Sequence, residues 1–534
     1  MKVNLRVVAG LHKLILLNEE GDFTSWLITS VLFTAYLGFS LALVNVFGTD
    51  VIYAFTRFSH DNLAHLYIAR TVVDNGAYSR LSNVGIVWLP LYHLTIMFLT
   101  PINPLYVTGL AGSIFNSLFI AASATTIYLL VGGVEGALMG FAFGASTYSI
   151  IHATSSYMVP EGIFLTLGGL LYFRRYLRDD DFQSLVKSAA FMMLASITRY
   201  ESWLVLGSMW LAVVLRECVA RRRCHATSFF IPSLLGIAGW VAYNYVIFGN
   251  PIEFITHPSP GARGYYFMII SRVMHPWWTD IHGIFNDLLM LAGPVIPLVV
   301  LGALAIIRRR DWSLCLVLAS PFILLLSEGK GLAIADHPLY FYFTSPFLFI
   351  LGGEGTHLLV HAIKSLKTRH KEALKVGLAG FLIVSYVLFL GYGYAVLGHQ
   401  LREAAPSRYA EELRSVTTIM RAWGGEGLIL CSNFIHSERI SVLGGVSPAN
   451  IVDEFDEPFF SKVSAAPWRY GVSVVILPKD YASLRAGLVG LDGYGNYVTR
   501  FYENLTWRSE FLTNYTLVGE TSKVLIYGSR GFRG

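Results

Sequence analysis

The sequence predicts an α-helical polytopic membrane protein with a small C-terminal α/β domain. Three observations carry that expectation. Charged residues make up 14% of the 534 residues and hydrophobic ones 54%, whereas a soluble chain carries about 25% charged residues. Apolar runs of 14 to 27 residues recur as far as Leu397, lengths that suit membrane-crossing helices. Beyond Leu397 the apolar runs shorten and are bounded by turn residues, as strands of a soluble domain are.

Eleven spans are expected: Trp26–Phe47, Leu105–Val131, Glu135–His152, Met158–Phe173, Leu185–Thr198, Ser202–Leu215, Phe229–Phe248, Asp287–Ile307, Trp312–Leu326, Leu339–Gly355 and Val376–Leu397. Several fall short of the ~20 residues a straight crossing needs. Trp26–Phe47 is long enough to cross and remain, so no cleaved leader is expected. Basic clusters stand at Lys2–Lys13, Arg174–Arg178, Arg216–Arg223, Arg308–Arg310 and Lys364–Lys375. Placing all five in the cytoplasm requires that the short apolar segment Ile86–Thr100, which contains Pro90, does not cross. It is expected as a re-entrant or juxtamembrane helix. The N-terminus is then cytoplasmic and the C-terminal domain extracytoplasmic. The expected domains are a membrane catalytic domain over 1–397, with a first outer loop at 48–104, and a soluble domain over 398–534.

In the tail, Ser407–Trp423 has helical periodicity, and Gly427–Cys431, Val472–Leu477 and Lys523–Tyr527 read as strands. Asn504-Leu-Thr and Asn514-Tyr-Thr match the N-glycosylation acceptor pattern. Cys218, Cys224, Cys315 and Cys431 are scattered without a C-x-x-C, so neither a zinc knot nor a disulfide framework is expected. The basic residues sit in short loops and report topology rather than nucleic-acid binding. No internal repeat supports an inverted-repeat transporter.

Polar residues collect on the expected outer side. In "RFSHDNLAHLYIAR" (Arg57–Arg70), a helix over His60–Asp74 would place Asp61 and His65 on one face and pair Arg70 with Asp74. A solvated ion pair accounts for Arg70 and Asp74. Asp61 suits a helix N-cap or a functional carboxylate. In "SSYMVPEGIF" Glu161 opens a span, where an acid needs a partner or a cavity, although Pro160 and Glu161 also make an ordinary helix start. In "ITRYESWLV" Arg199 and Glu201 form either a polar-substrate site or a local pair closing a hairpin. "EGKGLAIADHPLYFYF" gathers Lys330, Asp336, His337, Tyr340 and Tyr342. The loop Gly249–Asn286 adds His257, Arg263, Arg272, His275, Trp277 and Trp278. Most of the aromatics suit interface anchoring, while the convergent cations suit a phosphate.

The order of these segments resembles a known group. An acidic residue in "HDNLAHLYIARTVVDNGAY" is followed by "WLPLYHLTI" (Trp88–Ile96), a span opening at "MVPE", the "TRYES" turn, a late "HPLYFYFTSPFL" and an outer C-terminal domain. Over Trp26–Leu397 the chain looks like the GT-C membrane glycosyltransferases. It most resembles those related to dolichyl-phosphate-mannose mannosyltransferases (glycosyltransferase family 39-like). The resemblance implies a GT-C fold and transfer of a sugar, mannose or another hexose, from a polyprenyl- or dolichyl-phosphate donor to a glycan, lipid or protein acceptor. It implies Asp61 as the base or acceptor-positioning acid, Glu161 as a second acid, and Arg199 and Glu201 near the substrates. Where the group has Arg-Tyr before the late helix, this sequence has His337 and a displaced Tyr340. A carboxylate takes the acceptor proton, and Arg199, Lys330 or Arg263 stabilises the leaving phosphate. Asp61, His65 and Glu161 offer oxygen and nitrogen donors for a divalent ion, but the resemblance implies action without metal, and no cofactor is expected.

The competing readings are a transporter and an oligosaccharyltransferase-like GT-C enzyme. A transporter would carry its polar groups at mid-membrane depth. The oligosaccharyltransferase reading wants a Trp-Trp-Asp-Tyr-Gly run in the tail, yet "PWWTD" (Pro276–Asp280) stands outside the tail.

Overall fold

The structure, a computed structural model, describes residues 23–47, 61–74, 88–220, 225–256, 288–289, 291–327, 342–365, 371–404, 407–431, 434–453, 459–479, 497–521 and 524–530. The helices run in chain order as α1 (Phe23–Phe47), α2 (Asp61–Val73), α3 (Leu91–Ile96), α4 (Asn103–Val107), α5 (Leu110–Val131), α6 (Gly133–Ala145), α7 (Thr147–Ala153), α8 (Val159–Asp179), α9 (Phe182–Ser196), α10 (Glu201–Ala220), α11 (His225–Phe248), α12 (Ile296–Arg308), α13 (Trp312–Ser327), α14 (Ser345–Ser365) and α15 (Lys371–Ala404). Further on come α16 (Ser407–Trp423), β1 (Leu428–Leu430), α17 (Phe434–Gly444), β2 (Ile451–Val452), α18 (Phe459–Ala465), β3 (Val472–Pro478), α19 (Tyr497–Glu503), α20 (Leu505–Asn514), β4 (Tyr515–Glu520) and β5 (Val524–Ser529).

The chain divides into two compact units. The first comprises Met1–Ala42, Ser113–Tyr243 and Met268–Gly398. The second comprises Leu43–Gly112, Asn244–Phe267 and His399–Gly534. Leu43–Gly112 thus groups with the tail, not with the helices that flank it in sequence.

The first unit is helical and apolar. Among the described residues five helical stretches are long and apolar enough to cross a membrane: Phe23–Asn45, Leu110–Val131, His225–Phe248, Tyr342–Ser365 and Glu372–Ala395. The bent pair α6–α7 makes a sixth if it is one span. Val376, Phe381, Val384, Val387 and Leu388 of α15 are exposed, an arrangement that lipid tolerates and water does not. Helices α12 and α14 approach closely because they meet through glycine: a Cβ on Gly302 would strike the Leu351 carbonyl, and one on Gly355 the Leu298 carbonyl. Glu354 on α14 is buried and held by Arg174 at 2.8 Å and Arg309 at 2.7 Å.

The segment expected as one span over Glu135–His152 is broken. Helices α6 and α7 meet at 63°, with Ser146 in extended backbone between them. The break frees carbonyls that lipid cannot solvate. Hydroxyls engage them: Ser149 donates to the Phe143 carbonyl at 2.5 Å, Tyr36 to that of Gly144 at 2.6 Å and Tyr394 to that of Ala145 at 3.4 Å.

The second unit contains a five-stranded sheet in the order β2-β1-β3-β5-β4. Strands β2, β1 and β3 are parallel, while β5 is antiparallel to β3 and β4. Every residue of β3 is buried, as suits a central strand. Val475, Leu477, Phe460, Tyr497, Phe501 and Phe511 form its core with neighbouring apolar residues. Helix α16 occupies the residues its periodicity indicated. The two-residue β2 and the largely exposed edge strand β4 carry too little apolar pattern to be read from sequence.

Where a single helix is expected over Ile86–Thr100, the described residues form α3 and then a turn, with α4 following beyond that segment. A six-residue helix rises about 9 Å, too little for a crossing of about 30 Å.

Candidate active-site residues

Helix α2 has two polar faces. Asp61, His65 and Ile68 recur at four and three residues on one side; Tyr67, Arg70 and Asp74 do so on the other. Asp61 is half-buried and opens the helix, where the first turn favours a carboxylate. His65 is buried, with its Nδ1 2.9 Å from Nε2 of His93 on α3. One ring of this pair donates and the other accepts. Trp88 and Tyr92 meet the His65 ring edge-on, with centroids 5.4 and 5.5 Å away.

The opposite face is held by polar ties. Arg70 and Asp74 pair at 3.2 Å, but with side chains only 12% and 18% exposed the pair is not the solvated one expected. Asn103 accepts from Arg70 at 2.9 Å, and the guanidinium lies 4.4 Å from the Tyr106 ring centroid. Ser447 donates to Asp74, and Tyr67 to Asp453 at 3.0 Å. Tyr106 and Ser441 share a 2.6 Å hydrogen bond. Burial pushes the Tyr106 hydroxyl well above the usual tyrosine range, against the opposing effects of Ser441 and Arg70.

In the first unit, the approach to Glu161 is fixed by one face of α5. Ser113 donates to the Thr154 carbonyl at 2.8 Å and Ser117 to that of Ala153 at 3.0 Å. Asn116 donates to the carbonyls of Ser155 and Tyr157, both at 2.8 Å. These bonds replace the water that an irregular segment would otherwise need. Helix α8 then starts with Pro160 and Glu161 in its first turn, the carboxylate buried. The stem of Arg199 lies over Gly162, where a Cβ would strike it. The Arg199 Nε donates to Glu201 at 2.9 Å and a second guanidinium nitrogen to the other carboxylate oxygen. This fork closes the turn between α9 and α10, so the local pair exists, and it lies beside the start of α8. Nearby, His152 stacks on Tyr342 at 4.1 Å, and the Tyr342 hydroxyl is 2.6 Å from that of Ser149.

The structure therefore brings Asp61 and His65 together on one helix face, and sets Arg199 and Glu201 against the helix start that carries Glu161. Arg263, Lys330, His337 and Tyr340 lie outside the described residues, as do His257, Arg272, His275, Trp277, Trp278 and Asp336. Among the described residues no group of three or more His, Cys, Asp or Glu is placed to hold a metal ion. Sequence reasoning missed His93, Asn116 and Asp453. The spacing Ser113, Asn116, Ser117 on one helical face was a usable signal for the second; the others act only through the folded chain.

No protein-family model and no curated protein matches the chain. Among solved structures it is similar to ArnT from Cupriavidus metallidurans in the apo state, at 15% identity and TM-score 0.47, covering 92% of this chain and 98% of that one. The same protein bound to undecaprenyl phosphate matches at 14% identity and TM-score 0.48, with the same coverage. The archaeal oligosaccharyltransferase AglB from Archaeoglobus fulgidus, in complex with an inhibitory peptide and a dolichol-phosphate, matches at 10% identity and TM-score 0.46, covering 84% of this chain and 70% of that one. Both are GT-C superfamily membrane glycosyltransferases. At these identities and TM-scores the likeness by itself assigns no activity.

Proposed function

We propose that the protein is a membrane glycosyltransferase of GT-C type. It moves a hexose, mannose for preference, from a polyprenyl- or dolichyl-phosphate donor to a glycan, lipid or protein acceptor on the outer side of the membrane. The observation that carries this reading is Asp61, a half-buried carboxylate on a short helix held from both faces, in a chain otherwise poor in charge. The acceptor hydroxyl gives its proton to Asp61 while its oxygen attacks the anomeric carbon. The bond from that carbon to the phosphate oxygen breaks, its electrons leave with the lipid phosphate, and the anomeric centre inverts. Arg199, Arg263 and Lys330 are assigned to the charge gathering on the leaving phosphate. His65, Glu201, His337 and Tyr340 are assigned to substrate binding, and Glu161 to a second acidic role. The lipid tail stays in the bilayer, which is why the enzyme is polytopic. Eleven spans, a cytoplasmic N-terminus and an extracytoplasmic tail complete the proposal.

A transporter is less well supported. Its broken helices offer carbonyls to a coupling ion, whereas the carbonyls at the α6–α7 break are engaged by Ser149, Tyr36 and Tyr394.

The test incubates purified protein with labelled polyprenyl-phosphate mannose or glucose and a membrane lipid extract. Asp61→Asn is expected to lower transfer about 100-fold or more; equal transfer by wild type and variant rejects the assignment.

A further inference from the structure

In an open α/β sheet, ligands usually bind outside the carboxyl ends of the parallel strands. In the second unit Asp453 stands at that edge. It follows β2 directly and is 1% exposed. What meets it is a helix of the same chain: the Tyr67 hydroxyl of α2 donates to Asp453 at 3.0 Å. Two further ties come from the same stretch of the tail, Ser447 to Asp74 and Ser441 to Tyr106.

We propose that Asp453 is a positioning residue that sets the aim of Asp61 through Tyr67. The inference rests on the glycosyl-transfer reading above for the role of Asp61. The geometry supplies the lever. Tyr67 and Asp61 lie about 120° apart around α2 and, six residues on, about 9 Å apart along its axis. A rotation or slide that follows loss of the Tyr67 contact moves Asp61 by a comparable arc. On the Asp61 side, the His65–His93 bond gives α2 a second fixed point, and the Ser447–Asp74 tie holds the far end, so removal of the Tyr67 contact loosens the helix between those two points. A misplacement of about 1 Å in a reacting group costs up to about 100-fold in rate. The tail is thereby assigned a task within the reaction: its sheet edge receives a helix of the first loop in place of a small molecule.

The test uses the full chain with Asp453→Ala, Asp453→Asn and Tyr67→Phe. Steady-state transfer from polyprenyl-phosphate mannose gives kcat and KM, and amide hydrogen exchange over residues 61–73 follows α2 independently of activity. Asp453→Ala and Tyr67→Phe are expected to lower kcat about tenfold or more, with donor KM held within about twofold, and to speed exchange in α2 but not in β3. Asp453→Asn, which keeps an acceptor oxygen, is expected to retain most of the wild-type kcat. Unchanged exchange in α2 overturns the proposal. So does a fall in kcat that the Asn variant shares and that comes with faster exchange in β3, the mark of a merely structural residue. If the wild type transfers no sugar, the glycosyl-transfer reading fails while the exchange data still decide whether the tail holds α2.

Discussion

Two sets of contacts, one at the α6–α7 break and the start of α8 and one joining α2 and α4 to the tail, use polar side chains differently. In the first, hydroxyls and amides serve the backbone: Ser113, Asn116 and Ser117 cap the segment before α8, and Tyr36, Ser149 and Tyr394 cap the α6–α7 break. In the second, side chains bind side chains across great sequence distances: 386 residues for Tyr67 and Asp453, and 335 for Tyr106 and Ser441. Solvent explains the contrast. Hydrocarbon cannot hydrate a free carbonyl, so every irregular turn there needs a donor from the chain. Where water reaches the backbone, polar side chains are free to join segments.

The largest effect expected from this contrast is at Asn116. Asn116→Leu leaves the Ser155 and Tyr157 carbonyls without their donor in the interior of the first unit. The loss should be about 2–6 kcal/mol, at about 1–3 kcal/mol for each of the two bonds removed, read as a lowered denaturation midpoint in detergent together with lost transfer. A wild-type midpoint would break the comparison.

Glu354→Ala comes next. It removes the carboxylate shared by Arg174 and Arg309, whose side chains are 32% and 49% exposed. Because those guanidinium groups still reach solvent, the cost should be about 1–3 kcal/mol, less than for a fully buried pair. Adding Arg309→Ala to that variant should then cost little more, and a strictly additive double variant would deny the coupling.

The smallest effect is at Tyr106. Tyr106→Phe removes the bond to Ser441 but leaves Ser441 donating to the Val446 carbonyl at 2.7 Å, so about 1 kcal/mol is expected. The pH dependence sharpens this. The folded state raises the Tyr106 pKa above its ordinary value of 10.0. Its contribution is therefore complete below pH 10 and is lost as pH rises above it. Alkaline unfolding of wild type and Tyr106→Phe, followed by tyrosinate absorbance, should converge above that pH. A difference that widens there would reverse the sign.

The fold was legible where the physics is local. Apolar run length marked the helical segments, and periodicity marked α16 to its ends. Boundaries failed where a span is interrupted. Nothing apolar distinguishes Ser146 from its neighbours, and the bend depends on Tyr36 and Tyr394, which arrive from other helices. The candidate site was legible in part for the same reason. Asp61, His65, Glu161, Arg199 and Glu201 stand out as charge or imidazole next to apolar runs. His93 is one more aromatic-like residue in an apolar string until it meets His65. Arg70 and Asp74 show the converse: their spacing announced the pair, but not that Tyr106, Asn103 and Ser447 would enclose it.

The α6–α7 break has a consequence for biosynthesis. Tyr394 is made 249 residues after Ala145, whose carbonyl it meets. At about 5–20 residues per second, translation takes roughly 12–50 s to cover that interval. The donor that Tyr394 supplies to the bend is thus made last of the three, with α15. A nascent chain halted before Tyr394 would lack that donor for the Ala145 carbonyl, so the corner needs the last helix of its unit to be complete.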